Sequence, residues 1–512
     1  MDRMNPLDAE FLYMEDGTAH MHIASCALFE GPAPDYDRLV DRIRVKLPLV
    51  PRYRQRVQFL PLDLRRPLWV DDPHFNLEYH VRHTALAPPG GKAELCRLMG
   101  RLMSQELDRA RPLWEAWVVE GLADGQWAVI SKVHHCMVDG VAGADLMAVV
   151  LDLEREPPPV VVEDWEPEPQ PSALRLAVDG AVNIVARPAE QIRGAVGSLL
   201  SPGRVLARGR TIASGLWGYG SALRPTPPTS LDGTIGPHRR WTYAGGTLDE
   251  IRKIRQALGG TVNDVVLAAV TSGFRDLIVA RGEDPERVSL RTLVPVSVRQ
   301  ETDHGVYDNQ VSAIFLDLPV HIADPRERLA AVHAEMDRLK QSHEAEAGQA
   351  LTHLAGAVPP AFMGQGTRLV SRLLARVPQR TMNTVTTNVP GPQFPLYFAG
   401  REMLEYLPYV PIGPGVRIGV AILSYNGRLH FAVTGDYDTA PDIEILAGGI
   451  AGALETRLGL AGPRRSRRKE ARRHAQESHE WDGVAPARRG GSSMLTGGSQ
   501  SAPAAHVSRK SP

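Results

Sequence analysis

"SKVHHCMVDG", residues 131–140, closes an apolar run with two histidines and follows them with an aspartate and a glycine. The run it closes, "QWAVISKVHH" (126–135), is rich in valine and isoleucine and reads as a β-strand. Side chains alternate along a strand, which puts Val129, Ser131, Val133 and His135 on one face and Ile130, Lys132 and His134 on the other. Beyond the turn, "GADLMAVVLDL" (143–153) spaces Leu146, Val149, Val150 and Leu153 as a helix does. Strand, turn and helix together make a unit of an α/β fold. Three uses of the turn are open: a catalytic base at a strand end, a metal site, or polar residues that only close the strand. Histidines on opposite faces do not share a metal ion, and no third strong ligand stands nearby. A base needs an imidazole that is neutral near pH 7 and fixed by a neighbour. Asp139 is placed to orient the ring, or to pair with an arginine and stiffen the turn. From the residues alone, base and strand closure both remain.

Working outward, the 512 residues are too many for one ordinary core. The first block, 1–155, holds an extended or turn segment, "MHIASCALFEG" (21–31), a helix-like stretch from Tyr36 to Lys46, and the strand–turn–helix unit. A Pro- and Glu-rich stretch opens a linker region, 156–235, whose basic part at 172–222 reads as bridging helices broken by Pro188 and Pro202. In the second block, 236–460, "TLDEIRKIRQALGG" begins with a Thr247/Glu250 capping box and ends on glycine. A second helix runs from Thr261 to Gly282. "SLRTLVPVSVR", "QVSAIFLDLPV", "GVRIGVAILSYNG" and "RLHFAVTGDYD" read as strands, the last two joined by an Asn-Gly hairpin turn. Strands and helices interleave in both blocks, so the expected fold is α/β with mixed sheets. The Arg-, Gly-, Ser- and Ala-rich tail, 461–512, is expected to be disordered.

The formal net charge is −1, but 11 Lys/Arg and 4 Asp/Glu give residues 463–512 a net +7. The body carries no basic field suited to nucleic acid. Three cysteines, Cys26, Cys96 and Cys136, build no disulfide framework and suit a reducing compartment. The amino-terminal segment lacks the apolar core of a signal peptide, and no apolar run is long enough to span a bilayer. A cytoplasmic protein is expected. Two segments suit a membrane surface: 351–380, with Arg368, Arg372, Arg376 and Arg380 at a spacing of four, and the cluster "RRSRRKEARR" (464–473).

The HHxxxDG pattern at 134–140 resembles the active-site signature of the chloramphenicol acetyltransferase-like acyltransferases. Within that superfamily, "PLDAEFLYMED" followed by "HMHIASCALFEG", the PLW segment in "LDRARPLWEAWVVEGL", the Asn-Asp pair in "TVNDVVLAAV", "TLVPVSVR", "TTNVPGP" and "GDYD" resemble the bacterial wax ester synthase/diacylglycerol acyltransferase family. The resemblance runs in order over residues 4 to 460. It implies two chloramphenicol acetyltransferase-like domains with the active site at their interface. It implies acyl transfer from acyl-CoA, as co-substrate, to diacylglycerol or a fatty alcohol, with no resident cofactor or metal, at a membrane or lipid-droplet surface. By the same resemblance His135 is the general base, His134 supports it, Asp139 holds the loop, Gly140 allows the sharp backbone path, and Asn263 and Asp264 contribute from the second block. A secondary-metabolite alcohol as acceptor, or an inactive lipid-binding homologue, are the competing expectations.

Overall fold

Four sheets and nine helices organise the computed structural model, which describes residues 2–59, 66–137, 146–157, 165–169, 225–297, 311–341 and 380–461. In the amino-terminal sheet the strands lie in the order β13 (Tyr397–Phe398), β14 (Arg401–Tyr409), β2 (His22–Phe29), β7 (Trp127–His134), β6 (Trp114–Glu120) and β5 (Val81–Ala85). The carboxy-terminal sheet runs β11 (Val311–Leu318), β10 (Leu290–Ser297), β12 (Thr384–Pro390), β16 (Ile418–Tyr425), β17 (Arg428–Asp436) and β9 (Arg239–Thr247). Both are mixed: β5 runs parallel to β6, and β12 runs parallel to β10 and β16. A small sheet of β1 (Asp2–Arg3), β4 (Leu68–Asp71) and β3 (Gln55–Gln58), and the pair β8 (Asp232–Gly233) and β15 (Gly415–Val416), complete the set.

The amino-terminal sheet is buried on both faces, and its strands show why. Ala27, Phe29, Val129 and Val133 point into one core with α1 (Pro6–Met14) and α2 (Tyr36–Lys46). Their neighbours Cys26, Leu28, Ala128 and Ile130 point into a second core with α4 (Lys92–Met103), as strand alternation requires. A short helix, α3 (Leu77–His80), lies between α2 and α4 in the chain. The second core also takes Trp241 of β9 and Ala432 of β17, so the two halves share it. Helices α6 (Leu248–Leu258), α7 (Val262–Ala280), α8 (Pro325–Gln341) and α9 (Ile443–Ala461) pack with the carboxy-terminal sheet around a third core.

Local signals in the sequence are met closely. α2 occupies the stretch read as helical. The α6 capping box is formed, with Thr247 N–H on Glu250 (2.8 Å) and Glu250 N–H on Thr247 (3.2 Å). α7 starts after its Thr261 cap and stops short of Gly282. The Asn-Gly turn joins β16 to β17 with φ of 43° at Asn426 and 79° at Gly427, the type I′ geometry that follows the twist of the strands.

Three features differ from the sequence reading. β13 and β14 lie in the carboxy-terminal half of the sequence, yet β14 pairs antiparallel with β2 and completes the amino-terminal sheet. Helix α5 (Leu146–Val150) ends at Val150 and does not reach Leu153, which is 70% exposed. Asp152 stops it. Its backbone exchanges hydrogen bonds with Tyr397 (2.7 and 2.9 Å), and its carboxylate takes Arg42 Nη2 (2.8 Å) and Lys46 Nζ. Third, β7 ends at His134, and His135 opens a turn of 3₁₀ helix, His135–Met137. The ladder has run out there: His134 N–H bonds Leu113 (2.9 Å) just before β6, and His135 N–H bonds Met21 (2.8 Å) just before β2. The alternation that would set the two histidines on opposite faces therefore stops one residue short of His135. Asp139, Gly140, the segment at 172–222, residues 351–379 and the tail from 462 lie outside the described residues.

Candidate active site

α1 is the element that reaches the histidine turn. Asn5 caps it by accepting from Asp8 N–H (2.8 Å), Pro6 fits its first turn, and it ends at Met14. Phe11 and Glu15 are four residues apart, so both project from the same side of its carboxy-terminal end. Each meets one histidine.

Glu15 meets His134. The His134 ring is 1% exposed, and its Nδ1 accepts the backbone N–H of Cys136 (3.1 Å). A nitrogen that accepts carries no proton, so the proton of the neutral ring sits on Nε2. Nε2 faces Glu15 Oε2 at 3.4 Å. The same carboxylate accepts from Arg109 Nη2 (2.6 Å) and from Met21 N–H (3.1 Å). Burial works against the Glu15 charge, but His134 and then Arg109 overcome it and hold the carboxyl far below the usual carboxylate range. Half-exposed Arg109 and the buried side chains of Glu15 and His134 thus form a chain of contacts that ends on the backbone of the turn after His135.

Phe11 meets His135. The rings stack with centroids 3.9 Å apart and planes inclined by 20°. His135 is partly exposed, and its Nδ1 is enclosed and without a hydrogen-bond partner among the described residues. Burial pushes its pKa down to about 4, a contact with its own backbone opposes the shift, and the His134 ring adds slightly to it. The imidazole is therefore neutral near pH 7. Phe11 packs on an apolar cluster of Ala19, Met21, Ile235, Ile412 and Val416, so residues from both halves of the chain converge beside His135.

The other residues singled out in the sequence are spread over both halves. Asn263 lies in the first turn of α7, partly exposed, and its side-chain oxygen accepts from Asn388 Nδ2 (3.0 Å), within the "TTNVPGP" stretch. Gly391 of that stretch passes so close to Ser424 that a Cβ would collide with its carbonyl oxygen. Asp264 is 1% exposed and committed locally: Oδ2 takes Thr261 N–H (2.8 Å) and His333 Nδ1 (2.8 Å). Asp436 of "GDYD" accepts from Gly236 N–H (2.7 Å) and Thr439 N–H (3.0 Å), holding the chain around itself. The PLW segment packs: Leu113 and Trp114 are buried, and Trp114 Nε1 bonds the carbonyl of Tyr53 (2.8 Å). Cys136 is fully enclosed, and burial pushes its thiol pKa well up, the opposite of an activated nucleophile.

Sequence reasoning singled out both histidines and missed their partners Phe11, Glu15 and Arg109. The available signal was the stretch "PLDAEFLYMED", which carried resemblance without a role assigned to any of its residues.

Comparison with known proteins fits this arrangement. Residues 4–266 match the wax ester synthase/diacylglycerol acyltransferase catalytic domain, and residues 307–456 match the carboxy-terminal domain of the same family. The chain belongs to this family. It is 37% identical over 475 residues to a probable diacylglycerol O-acyltransferase (tgs1) of Mycobacterium tuberculosis, covering 92% of this chain and 98% of that one. Among solved structures, the wax ester synthase/diacylglycerol acyltransferase of Marinobacter aquaeolei VT8 superposes with a TM-score of 0.63 at 28% identity, over 90% of this chain and 100% of the other. The first condensation domain of the calcium-dependent antibiotic synthetase, at 16% identity and a TM-score of 0.55 over 90% of this chain and 96% of that one, shares the fold. The expected two-domain chloramphenicol acetyltransferase-like architecture is therefore present, and the protein is an acyltransferase.

Proposed function

We propose that this family member moves a fatty acyl group from an acyl-CoA thioester to the hydroxyl of diacylglycerol, a long-chain alcohol, or both. The carrying observation is His135, neutral and partly exposed just past the end of β7, stacked on Phe11 beside apolar residues from both halves. In this reading Nε2 removes the acceptor's proton as its oxygen attacks the thioester carbon. The tetrahedral intermediate expels the CoA thiolate, and the imidazolium returns the proton to sulfur. No acyl-enzyme and no cofactor are needed, because a thiolate is already a good leaving group; the enzyme's task is to hold both substrates in line. Asn263 engages its carbonyl end with Asn388, which leaves the amide N–H₂ to donate to a developing oxyanion. Asp264 positions it through the α7 cap, while Asp139 and Gly140 hold the loop after the base. The relatives' names support diacylglycerol as acceptor. The test is purified protein with palmitoyl-CoA and either dioleoylglycerol or hexadecanol, following free thiol. Release that requires an acceptor is expected; absence of release with both removes this reading.

The proton inventory gives a prediction. The active form is the neutral imidazole, so activity is lost as pH falls through the folded-state pKa. Burial sets that value at about 4, against about 6.5 for an unperturbed histidine. The acid limb of kcat/KM is expected to lie below pH 5.5. A half-maximal point near pH 6.5 would contradict the assignment.

Among the described residues no helix is long and apolar enough to cross a membrane, and the acceptors are lipids. We propose that the protein meets them at a surface, with the seven basic residues of "RRSRRKEARR" drawing it to anionic lipid. Each charge near the surface adds about 1 kcal/mol of attraction. Deleting 463–512 is expected to weaken flotation with anionic vesicles and to leave transfer to detergent-dispersed diacylglycerol intact. Flotation that is indifferent both to the deletion and to 0.5 M salt (a Debye length under about 5 Å) would exclude the tail as an electrostatic anchor.

A further inference from the structure

Helices α7, α8 and α9 line an open cavity of about 400 Å³ on the carboxy-terminal half. Two arginines line it, Arg328 from α8 and Arg457 from α9, and both are buried, at 4% and 0% exposure. Every partner they have is neutral. Arg328 bonds the carbonyls of Ile322 (2.8 Å) and Ala323 (2.9 Å), and Arg457 those of Ala268 (3.0 Å) and Ala453 (3.3 Å). Both guanidinium groups then converge on one hydroxyl, Ser272 Oγ, which accepts from Arg328 Nη1 and from Arg457 Nη2 (3.3 Å).

Two like charges meeting at one buried oxygen repel each other, and burial of an unpaired ion is costly. Among the described residues neither arginine forms an ion pair, although the Asp276 and Asp324 carboxylates act on Arg328 from a distance, and Arg457 Nε has no hydrogen-bond partner. Arg275, bonded to the carbonyl of Val320 (2.6 Å), adds a third positive charge that acts on Arg328. Asp276 also lines the cavity, from an exposed position, and its charge partly offsets that of Arg328 without an ion pair between them. Burial, with the charge of Arg328 behind it, lowers the Arg457 pKa to about 10, so the group stays protonated at neutral pH. The floor of the cavity is thus cationic. Its wall is open at Gly452, where an added Cβ would meet nothing within 4 Å.

We propose that this cavity binds a phosphate group, free or as a small phosphomonoester. The forked guanidinium donors match an oxyanion with several acceptor oxygens, and the anion would neutralise the repulsion that the neutral partners leave in place. The volume exceeds that of phosphate itself, which leaves room for the ester portion of a small molecule.

Thermal unfolding of the full chain tests this without reference to acyl transfer. Inorganic phosphate, and in a separate arm glycerol 3-phosphate, is compared with sodium chloride at equal ionic strength. Wild-type protein is expected to melt a few degrees higher in the phosphate arms, since a ligand of the folded state stabilises it. A stronger effect of the ester than of free phosphate identifies the ester as the ligand class. Thr456→Glu brings a carboxylate to the cavity from an exposed position whose hydroxyl bonds only its own helix, at Gly452. It is expected to melt higher than wild type in chloride, to lose the phosphate response, and to keep the transfer rate. Arg457→Met is expected to lose the response too; if it does not fold, Thr456→Glu decides. A wild-type midpoint no higher in phosphate than in chloride, or a response that survives Thr456→Glu, overturns the proposal.

Discussion

Replacing His135 with alanine is expected to lower acyl transfer by about 10²- to 10⁴-fold, the range typical of a lost general base. The fold should persist. The side chain is partly exposed, its Nδ1 has no hydrogen-bond partner among the described residues, and its ring stacks on Phe11. His134→Ala should show the reverse balance. That ring is buried, accepts from Cys136 N–H and faces Glu15, so its loss leaves buried polar groups unsatisfied, at about 1–3 kcal/mol. Its Nδ1 is taken by Cys136 N–H and its Nε2 is buried facing Glu15, so it holds the turn and does not reach a substrate; the loss in rate should be smaller than for His135→Ala. Free-thiol assays and circular dichroism on both variants check the pair. His135→Ala with native dichroism and more than a tenth of wild-type activity would sink the base assignment.

What the sequence makes legible is local, and what it hides is contact across long separations. The Asn-Gly turn, the Thr247 and Thr261 caps and the extent of α2 each depend on residues within one or two turns of each other. They are found where backbone preference alone would put them. The end of α5 is different. Its helical spacing continues to Leu153, but Asp152 is taken by Arg42 and Lys46, 110 and 106 residues earlier, and by the backbone of Tyr397. No local pattern encodes that. The same holds for β14, whose alternation cannot say that its partner is β2 and not a strand of its own block.

At the site the pattern is similar. The motif marks His134 and His135, but the strand reading carries alternation one residue too far. A strand ends where its neighbours end, and here those neighbours are β2 and β6. Glu15 lies far from His134 in the chain and 94 residues from Arg109. An acidic residue just past a short helix reads as an ordinary solvated end until the fold brings Arg109 and His134 to it.

That chain of contacts leads to the second large effect. Glu15→Ala is expected to lower kcat by about 10- to 100-fold with KM changed much less, since a shift of about 1 Å at the reacting groups can cost about 10² in rate. Glu15 touches no reacting atom in this reading; it acts through His134. Its carboxylate faces Nε2 at 3.4 Å and favours the proton there, which leaves Nδ1 to accept from Cys136 N–H. Without the carboxylate the His134 proton is free to move to Nδ1, where it would confront the Cys136 N–H, donor against donor, and displace the turn that carries His135. Arg109 suffers less, because its side chain is 38% exposed and can turn to water. Glu15→Gln keeps an oxygen that accepts one hydrogen bond but loses the charge, so it should fall between wild type and Glu15→Ala. A merely structural glutamate would lower the amount of folded enzyme and leave kcat per folded molecule unchanged. Active-site-normalised kcat for the two variants separates these cases, and Glu15→Ala within twofold of wild type would show that the buried carboxylate does not position the base.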